Sequence, residues 1–226
     1  MLLEKERLDI IAYGMRMNRE GLSRGTSGNL SCYDPESGYM AISPSGMDYG
    51  SIQPEDVVIM DLNGAVIEGA RKPSGEYGLH AALYRLRPEA RAVVHAHSPY
   101  CTTFACLRLP LKAVHYAISG AGVDEVPCAE YATFGTAELA DSVGRAIGES
   151  QALLLANHGM LAVGRNMSRT FSLAVNLEFV AEMQWRTMCV GQPVILSPGE
   201  MDNVRQRMRS YGQAKKAGEA TDTVGY

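Results

Sequence analysis

"ARAVVHAHSPY", residues 90–100, decides how this chain is built. Its β-branched, apolar run predicts a strand, and in a strand residues i and i+2 share a face. Val93 and Val94 then point to opposite faces, and both faces are apolar. A strand covered on both sides belongs in the middle of a sheet. Ser98 as a cap and Pro99 in the first turn start a helix over "SPYCTTFACL" (98–107). His95 and His97 lie two apart on this strand, so both imidazoles face the same way. They read equally as metal ligands, as a catalytic pair or as histidines satisfied in a core.

Around this strand, hairpins alternate with helices. "QALLLANHGMLAVG" (151–164) reads as strand, turn, strand, with Asn157-His158-Gly159 at the turn. "DVVIMDLNGAVIEG" (56–69) holds two β-rich runs around Asn63-Gly64, a hairpin signature. Short strands are expected after "GTSGN" and in "YMAI", and "LKAVHYAI" (111–118) reads as another. In that strand His115 and Tyr116 would face opposite sides, and His115 is expected to be structural. Helical spacing places Leu8, Ile11 and Met15 on one face of residues 2–20, with Gly21 as the stop. "YGLHAALYRLR" is helical up to Pro88, and further helices are expected at 136–148, 168–191 and 197–212. The pattern predicts an α/β fold: one domain over residues 1–212, built on a largely antiparallel or mixed sheet covered by helices. The tail 213–226 has little apolar content and is expected to be mobile.

Composition excludes several classes of function. The net charge is −4 and no basic block occurs, which argues against nucleic acid and membrane surfaces as partners. No uncharged apolar window of about 18 residues offers a transmembrane helix. Glu4, Glu6 and Asp9 spoil a signal peptide. Five cysteines without a C-x-x-C pair suit reduced thiols in the cytoplasm.

A metal site wants imidazoles with a carboxylate or thiolate. His95 and His97 share a strand face, and His158 sits where a turn pushes an imidazole out of a strand end. Glu76 opens a helix after a Pro-Ser-Gly turn, where the helix dipole favours a carboxylate. These four form a candidate three-His, one-Glu site. Glu76 with His80, i and i+4 on one helix face, is a rival pair, although His80 continues the apolar stripe of Leu79, Leu83 and Leu86. "GTSGN" (25–29), "SPSG" (43–46) and "KPSGE" (72–76) each combine glycine with hydroxyl or amide donors, the chemistry that cradles a phosphate. None is a Walker A loop, and "GAGVDE" lacks the last glycine of a dinucleotide fingerprint.

In order and spacing, "GTSGN", "SPSG", "PSGE", "HAH", "VHYAI", "PCAEYATFGT", "NHG" and the late "SYG" resemble the class II aldolase/epimerase family, its fuculose-phosphate branch above all. The likeness runs from about residue 8 to 212. It implies a single α/β domain, a mostly antiparallel sheet with helices on both sides, and a homotetramer with active sites between subunits. It implies one Zn²⁺ per subunit, held by His95, His97, His158 and, at rest, Glu76. Asn29, Ser45, Gly46, Ser74 and Gly75 fall on the phosphate pocket, with Gly28 shaping its first loop. Tyr116 falls on a tyrosine reaching in from a neighbouring subunit, and Phe134 and Tyr211 fall at the aldehyde end. Gly75 stands where the fuculose-phosphate branch has a second serine.

The implied reaction is reversible cleavage of a ketose 1-phosphate, L-fuculose 1-phosphate or similar, through a zinc-stabilised enediolate. The products are dihydroxyacetone phosphate and an aldehyde such as L-lactaldehyde. Glu76 would act as base and Tyr116 as acid. Cleavage of 5-deoxyribulose 1-phosphate or methylthioribulose 1-phosphate is the alternative. Epimerase, dehydratase and decarboxylase branches, and a non-enzymatic adducin-like module, are further ones. The glutamate at position 76 argues against the epimerases, where aspartate is usual.

Overall fold

The computed structural model describes residues 1–210. In chain order the helices are α1 (Glu4–Arg19), α2 (Tyr77–Leu86), α3 (Pro99–Leu107), α4 (Ala137–Ala146), α5 (Met167–Val190) and α6 (Pro198–Met208). The strands are β1 (Asn29–Asp34), β2 (Tyr39–Ile42), β3 (Val58–Asp61), β4 (Val66–Glu68), β5 (Ala92–Ala96), β6 (Leu111–Lys112), β7 (Glu125–Val126), β8 (Cys128–Ala129), β9 (Ala152–Leu155) and β10 (Gly159–Gly164). Eight strands form one sheet in the order β4-β3-β2-β1-β5-β10-β9-β8, and β6 pairs with β7 apart from it. All neighbours in the large sheet are antiparallel except β8 and β9.

β5 lies in the interior, between β1 and β10, and all five of its residues are buried. The two apolar faces seen in the sequence meet two separate cores. Val94 and Ala96 pack with residues of α1, α3, α5 and α6, while Val93 packs with residues of α2 and α4. Helices therefore cover both faces, as the resemblance implied.

Three local expectations fail, each for a physical reason. "VHYAI" is not a strand: pairing ends at Lys112, and Tyr116–Ala121 form a short 3-10 helix capped by His115, whose Nδ1 accepts from Ala117 N at 3.2 Å. His115 and Tyr116 therefore stack, with centroids 4.5 Å apart, instead of facing opposite sides. Ser98 occupies the cap position of α3 but makes no capping bond; Glu178 of α5 accepts from Tyr100 N and Cys101 N at 2.7 and 2.9 Å instead. On α1, Leu8 and Met15 are exposed, and the buried residues are Arg7, Ile10, Gly14 and Met17. Arg7 can be buried because it donates to the carbonyls of Leu2, Pro54 and Val57 and to Glu68 Oε1. Gly14 is buried because the Tyr49 ring fills the space a Cβ would need.

No helix among the described residues is long and apolar enough to cross a membrane. Tyr211 and the tail 213–226 lie outside the described residues.

Candidate active site

The site forms where β5, the β9–β10 turn and the start of α2 meet. β5 supplies His95, with His97 just beyond its end. β10 runs antiparallel to β5 with Leu161 opposite His95 and Met160 opposite Ala96, so the turn before β10 delivers His158 beside both. That turn needs Asn157 in the left-handed region at φ 56°, which an asparagine tolerates better than most residues. It also needs Gly159, because a Cβ there would lie 2.4 Å from Ala96 O and 3.0 Å from the His97 ring.

The three imidazoles stand edge to face around one point. Their centroids are 4.8–4.9 Å apart, with interplanar angles of 69–73°. His95 Nε2 lies 3.0 Å from His97 Nε2 and 3.2 Å from Glu76 Oε2, and His158 Nε2 lies 3.4 Å from Glu76 Oε1. His95 Nδ1 sits 3.0 Å from Met160 O, a bond that puts its proton on Nδ1 and turns the Nε2 lone pair into the cluster.

This donor set fits a divalent cation. One ring nitrogen from each histidine lies within 4.8 Å of the others. Nitrogen lone pairs facing one another at such range repel unless a cation or a shared proton lies between them. Glu76 Oε1 is buried with no hydrogen-bond donor. The 3.0–3.4 Å contacts approach the edge, about 3.4 Å, of a tetrahedron with bonds of about 2.0–2.1 Å.

Burial opposes charge on Glu76, yet the imidazoles of His95 and His158 beside it and the Asn29 amide outweigh it and hold the carboxyl well below the usual carboxylate range. Burial first, then the charge of His95, lowers His97 and His158 to about 4, so both are neutral bases at pH 7.

Three loops converge around Glu76. Ser74 N donates to Ser43 O at 3.0 Å and Ser45 N to Lys72 O at 2.9 Å, which joins "SPSG" to "KPSGE" through a Pro44–Pro73 bridge. Ser43 Oγ accepts from Leu30 N at 2.9 Å and so ties both to the loop holding Gly28 and Asn29. Gly28 has φ 79°, and a Cβ there would lie 2.8 Å from His95 O. Ser74 Oγ accepts from Glu76 N at 3.3 Å, while Ser45, Gly46 and Gly75 are exposed. Asn29 is buried, and its Nδ2 donates to Glu76 Oε2 at 2.9 Å.

A cleft of about 330 Å³ opens beside the cluster, lined by Glu76, His97, Tyr131, Ala132, Phe134, Asn157 and His158. Phe134 stands in its wall as the most exposed aromatic among the described residues, at 71 %. Sequence reasoning missed Tyr131 and Asn157 as wall residues, although "PCAEYATFGT" and "NHG" contain them. Tyr116 is half exposed on its 3-10 helix and is not part of the cleft wall among the described residues. His80 is not in the cluster: it is fully buried behind Asn29.

Residues 8–185 match the model of the Class II Aldolase and Adducin N-terminal domain family. Over 213 residues the chain is 47 % identical to the 5-deoxy-D-ribulose 1-phosphate aldolase of Bacillus thuringiensis serovar kurstaki, covering 94 % of this chain and 100 % of that protein. It is 41 % identical to the 5-methylthioribulose-1-phosphate/5-deoxyribulose-1-phosphate aldolase of Rhodospirillum rubrum, covering 85 % of this chain and 86 % of that one. A solved L-fuculose 1-phosphate aldolase superposes with a TM-score of 0.89 at 41 % identity, covering 92 % of this chain and 98 % of that one.

Proposed function

Because the chain belongs to the Class II Aldolase and Adducin N-terminal domain family, we propose that it is a divalent-metal-dependent aldehyde-lyase that cleaves 5-deoxyribulose 1-phosphate. Removing the three carbons of dihydroxyacetone phosphate from that pentulose leaves acetaldehyde. The observation that carries the lyase reading is the cluster of His95, His97, His158 and Glu76 beside a cleft that Glu76, His97 and His158 line. The substrate reading rests on the 47 % identity to a 5-deoxyribulose-phosphate enzyme over almost the whole chain. It is preferred to L-fuculose 1-phosphate, which the sequence resemblance put first.

His95, His97 and His158, with Glu76 at rest, would hold one ion, for which zinc suits the nitrogen-rich set. When bound, the ion supplies a Lewis acid for negative charge developing on the substrate oxygens. Backbone N–H groups and hydroxyls of the three loops, with Asn29, Ser45, Gly46, Ser74 and Gly75, seat the phosphate and fix the three-carbon unit. In cleavage the C4 hydroxyl gives its proton to Tyr116 of a neighbouring subunit while the C3–C4 bond breaks. The electron pair stays on C3, conjugated with the C2 carbonyl; Glu76, having taken a proton from solvent, returns it to C3, and the proton taken up by Tyr116 is released to solvent. In synthesis Glu76 removes that proton and Tyr116 protonates the aldehyde oxygen. Phe134 and Tyr131 offer an apolar wall for a small alkyl group. Self-association as a homotetramer belongs to the proposal, since Tyr116, Phe179 and Trp185 leave aromatic surface exposed. So does a cytoplasmic location, which five free cysteines suit.

The test supplies the protein with dihydroxyacetone phosphate and acetaldehyde, L-lactaldehyde, glycolaldehyde or methylthioacetaldehyde. The expected result is the highest kcat/KM with acetaldehyde, lost on chelation and restored by Zn²⁺. A preference for lactaldehyde would return the substrate to L-fuculose 1-phosphate, and full turnover without metal would overturn the lyase mechanism.

A further inference from the structure

Behind Glu76 runs a line of buried polar side chains, and beyond Asn29 the proposed reaction leaves its members unused. Asn29 Nδ2 donates to Glu76 Oε2 at 2.9 Å, and Asn29 Oδ1 lies 2.5 Å from His80 Nε2. His80 Nδ1 lies 2.7 Å from Ser31 Oγ, which lies 2.7 Å from Tyr84 Oη. Tyr84 Oη also lies 3.0 Å from Ser31 O, so with the Ser31 hydrogen directed at His80 Nδ1 the single Tyr84 hydrogen is shared between the two Ser31 oxygens. His80 and Ser31 are fully buried, and Tyr84 and Asn29 nearly so. Two elements build the line: Asn29 and Ser31 alternate on one face of β1, and His80 and Tyr84 stand i, i+4 on the facing side of α2.

The donors and acceptors along this line leave one arrangement of the amide. An ionised carboxylate only accepts, so Asn29 must offer it Nδ2. Oδ1 then faces His80 Nε2, which must carry a hydrogen. In a neutral imidazole Nδ1 is then an acceptor for the Ser31 hydroxyl. Flipping the amide would set Oδ1 against the carboxylate and Nδ2 against Nε2–H, two repulsive contacts in a region that water does not reach. Buried polar mismatches of this kind are costly. Burial foremost, and then the charge of His95, lowers His80 to about 3, so the ring is neutral at pH 7.

The Glu76 end of the line decides which carboxylate oxygen has a hydrogen-bond donor. Oε2 accepts from Asn29 and lies 3.2 Å from His95 Nε2, whereas Oε1, 3.4 Å from His158 Nε2, is buried without a hydrogen-bond donor on the side chain that lines the cleft. We infer that His80 is a positioning residue for proton transfer at Glu76: by donating from Nε2 it locks the Asn29 amide onto Oε2 and so reserves Oε1 for the proton exchanged with C3. The inference rests on the proposed base role of Glu76. Ser31 fixes the His80 tautomer from behind, and Tyr84 fixes Ser31.

The experiment uses the full chain with ¹⁵N-labelled histidine, without any variant, and then His80→Phe and His80→Gln. At pH 7 the His80 nitrogen shifts should be those of a neutral ring with its proton on Nε2. A proton on Nδ1, or an imidazolium, would overturn the inference. The amide introduced by His80→Gln could still donate to Asn29, whereas the phenyl ring introduced by His80→Phe fills the space with no donor. His80→Phe should slow solvent-hydrogen exchange into dihydroxyacetone phosphate by about 10–100-fold, with KM for that substrate changed much less, as expected when the partner of a working group is removed. His80→Gln should recover most of the rate. Wild-type exchange in His80→Phe would overturn the positioning role. Where that variant fails to fold, the nitrogen shifts and the exchange rate of His80→Gln decide, and a rate as low as an Asn29→Ala control would overturn it. Wild-type exchange in Glu76→Gln would instead overturn the base role, and it is told apart because the His80 shifts stay unchanged.

Discussion

Gly75 shows how a single residue can depart from a family pattern at little cost. A Cβ at this position would meet nothing within 4 Å, and its φ is not in the left-handed region. Gly75→Ser should therefore change unfolding free energy by no more than about 0.5 kcal/mol. The added hydroxyl should leave KM for the phosphate substrate unchanged or lower, measured by steady-state kinetics. The buried histidines make a second prediction. His80, His97 and His158 are lowered from 6.5 to about 3, 4 and 4, so the unfolded chain binds protons below pH 6.5 that the folded chain refuses. Stability is therefore fully present above pH 6.5 and is lost as pH falls. Between pH 6.5 and the ordinary glutamate value of 4.5 each such histidine contributes a slope approaching about 1.4 kcal/mol per pH unit. Urea unfolding of the chelator-treated protein over that window should show the slope, and His80→Gln should reduce it by roughly a third. An unchanged slope in the variant would mean that His80 is not buried as a neutral ring.

At the scale of elements, the cluster depends on how closely β10 approaches β5. Gly159 permits that approach, since a Cβ would lie 2.4 Å from the Ala96 carbonyl. Gly159→Ala should cost about 1–3 kcal/mol through forced separation of the strands. It should also weaken metal binding by moving His158 away from His97, read by competition titration with a chromophoric chelator; wild-type affinity would show that the turn tolerates the shift. The long strands and helices were legible because their periods are regular. The first helix was legible in extent but not in orientation: apolar spacing selected Leu8 and Met15, whereas the buried face carries Arg7. A hydrophobicity pattern scores an arginine as exposed, and only carbonyls at Pro54 and Val57, about fifty residues away, make its burial tolerable. "VHYAI" failed for a related reason, because a short β-branched run turns into a strand only when a partner edge is available, and pairing of β6 stops at Lys112.

At the scale of the whole molecule, the proposal takes its acid from Tyr116 of a neighbouring subunit, and among the described residues Tyr116 is not part of the wall of its own cleft. Tyr116→Phe and Glu76→Gln should each be nearly inactive alone. Dissociated and reassociated together, they should regain roughly a quarter of wild-type activity, because a random mixture joins an intact Glu76 to an intact Tyr116 at that fraction of interfaces. No recovery would place the acid within the chain that holds the metal ligands.

Local sequence was enough for the order of most strands and helices, the central place of β5 and the four residues that meet at the cleft, because strand alternation and turn chemistry leave their period in the chain. It also carried His80 and Asn29, but as two unrelated residues 51 positions apart. Packing in three dimensions was needed to bring them into contact, to leave one Glu76 oxygen hydrogen-bonded to Asn29 and the other without a donor, and to set Tyr131 and Phe134 in one wall. Those outcomes depend on which faces of β1 and α2 pack together, and side-chain contact across elements has no signature in the spacing of either element alone.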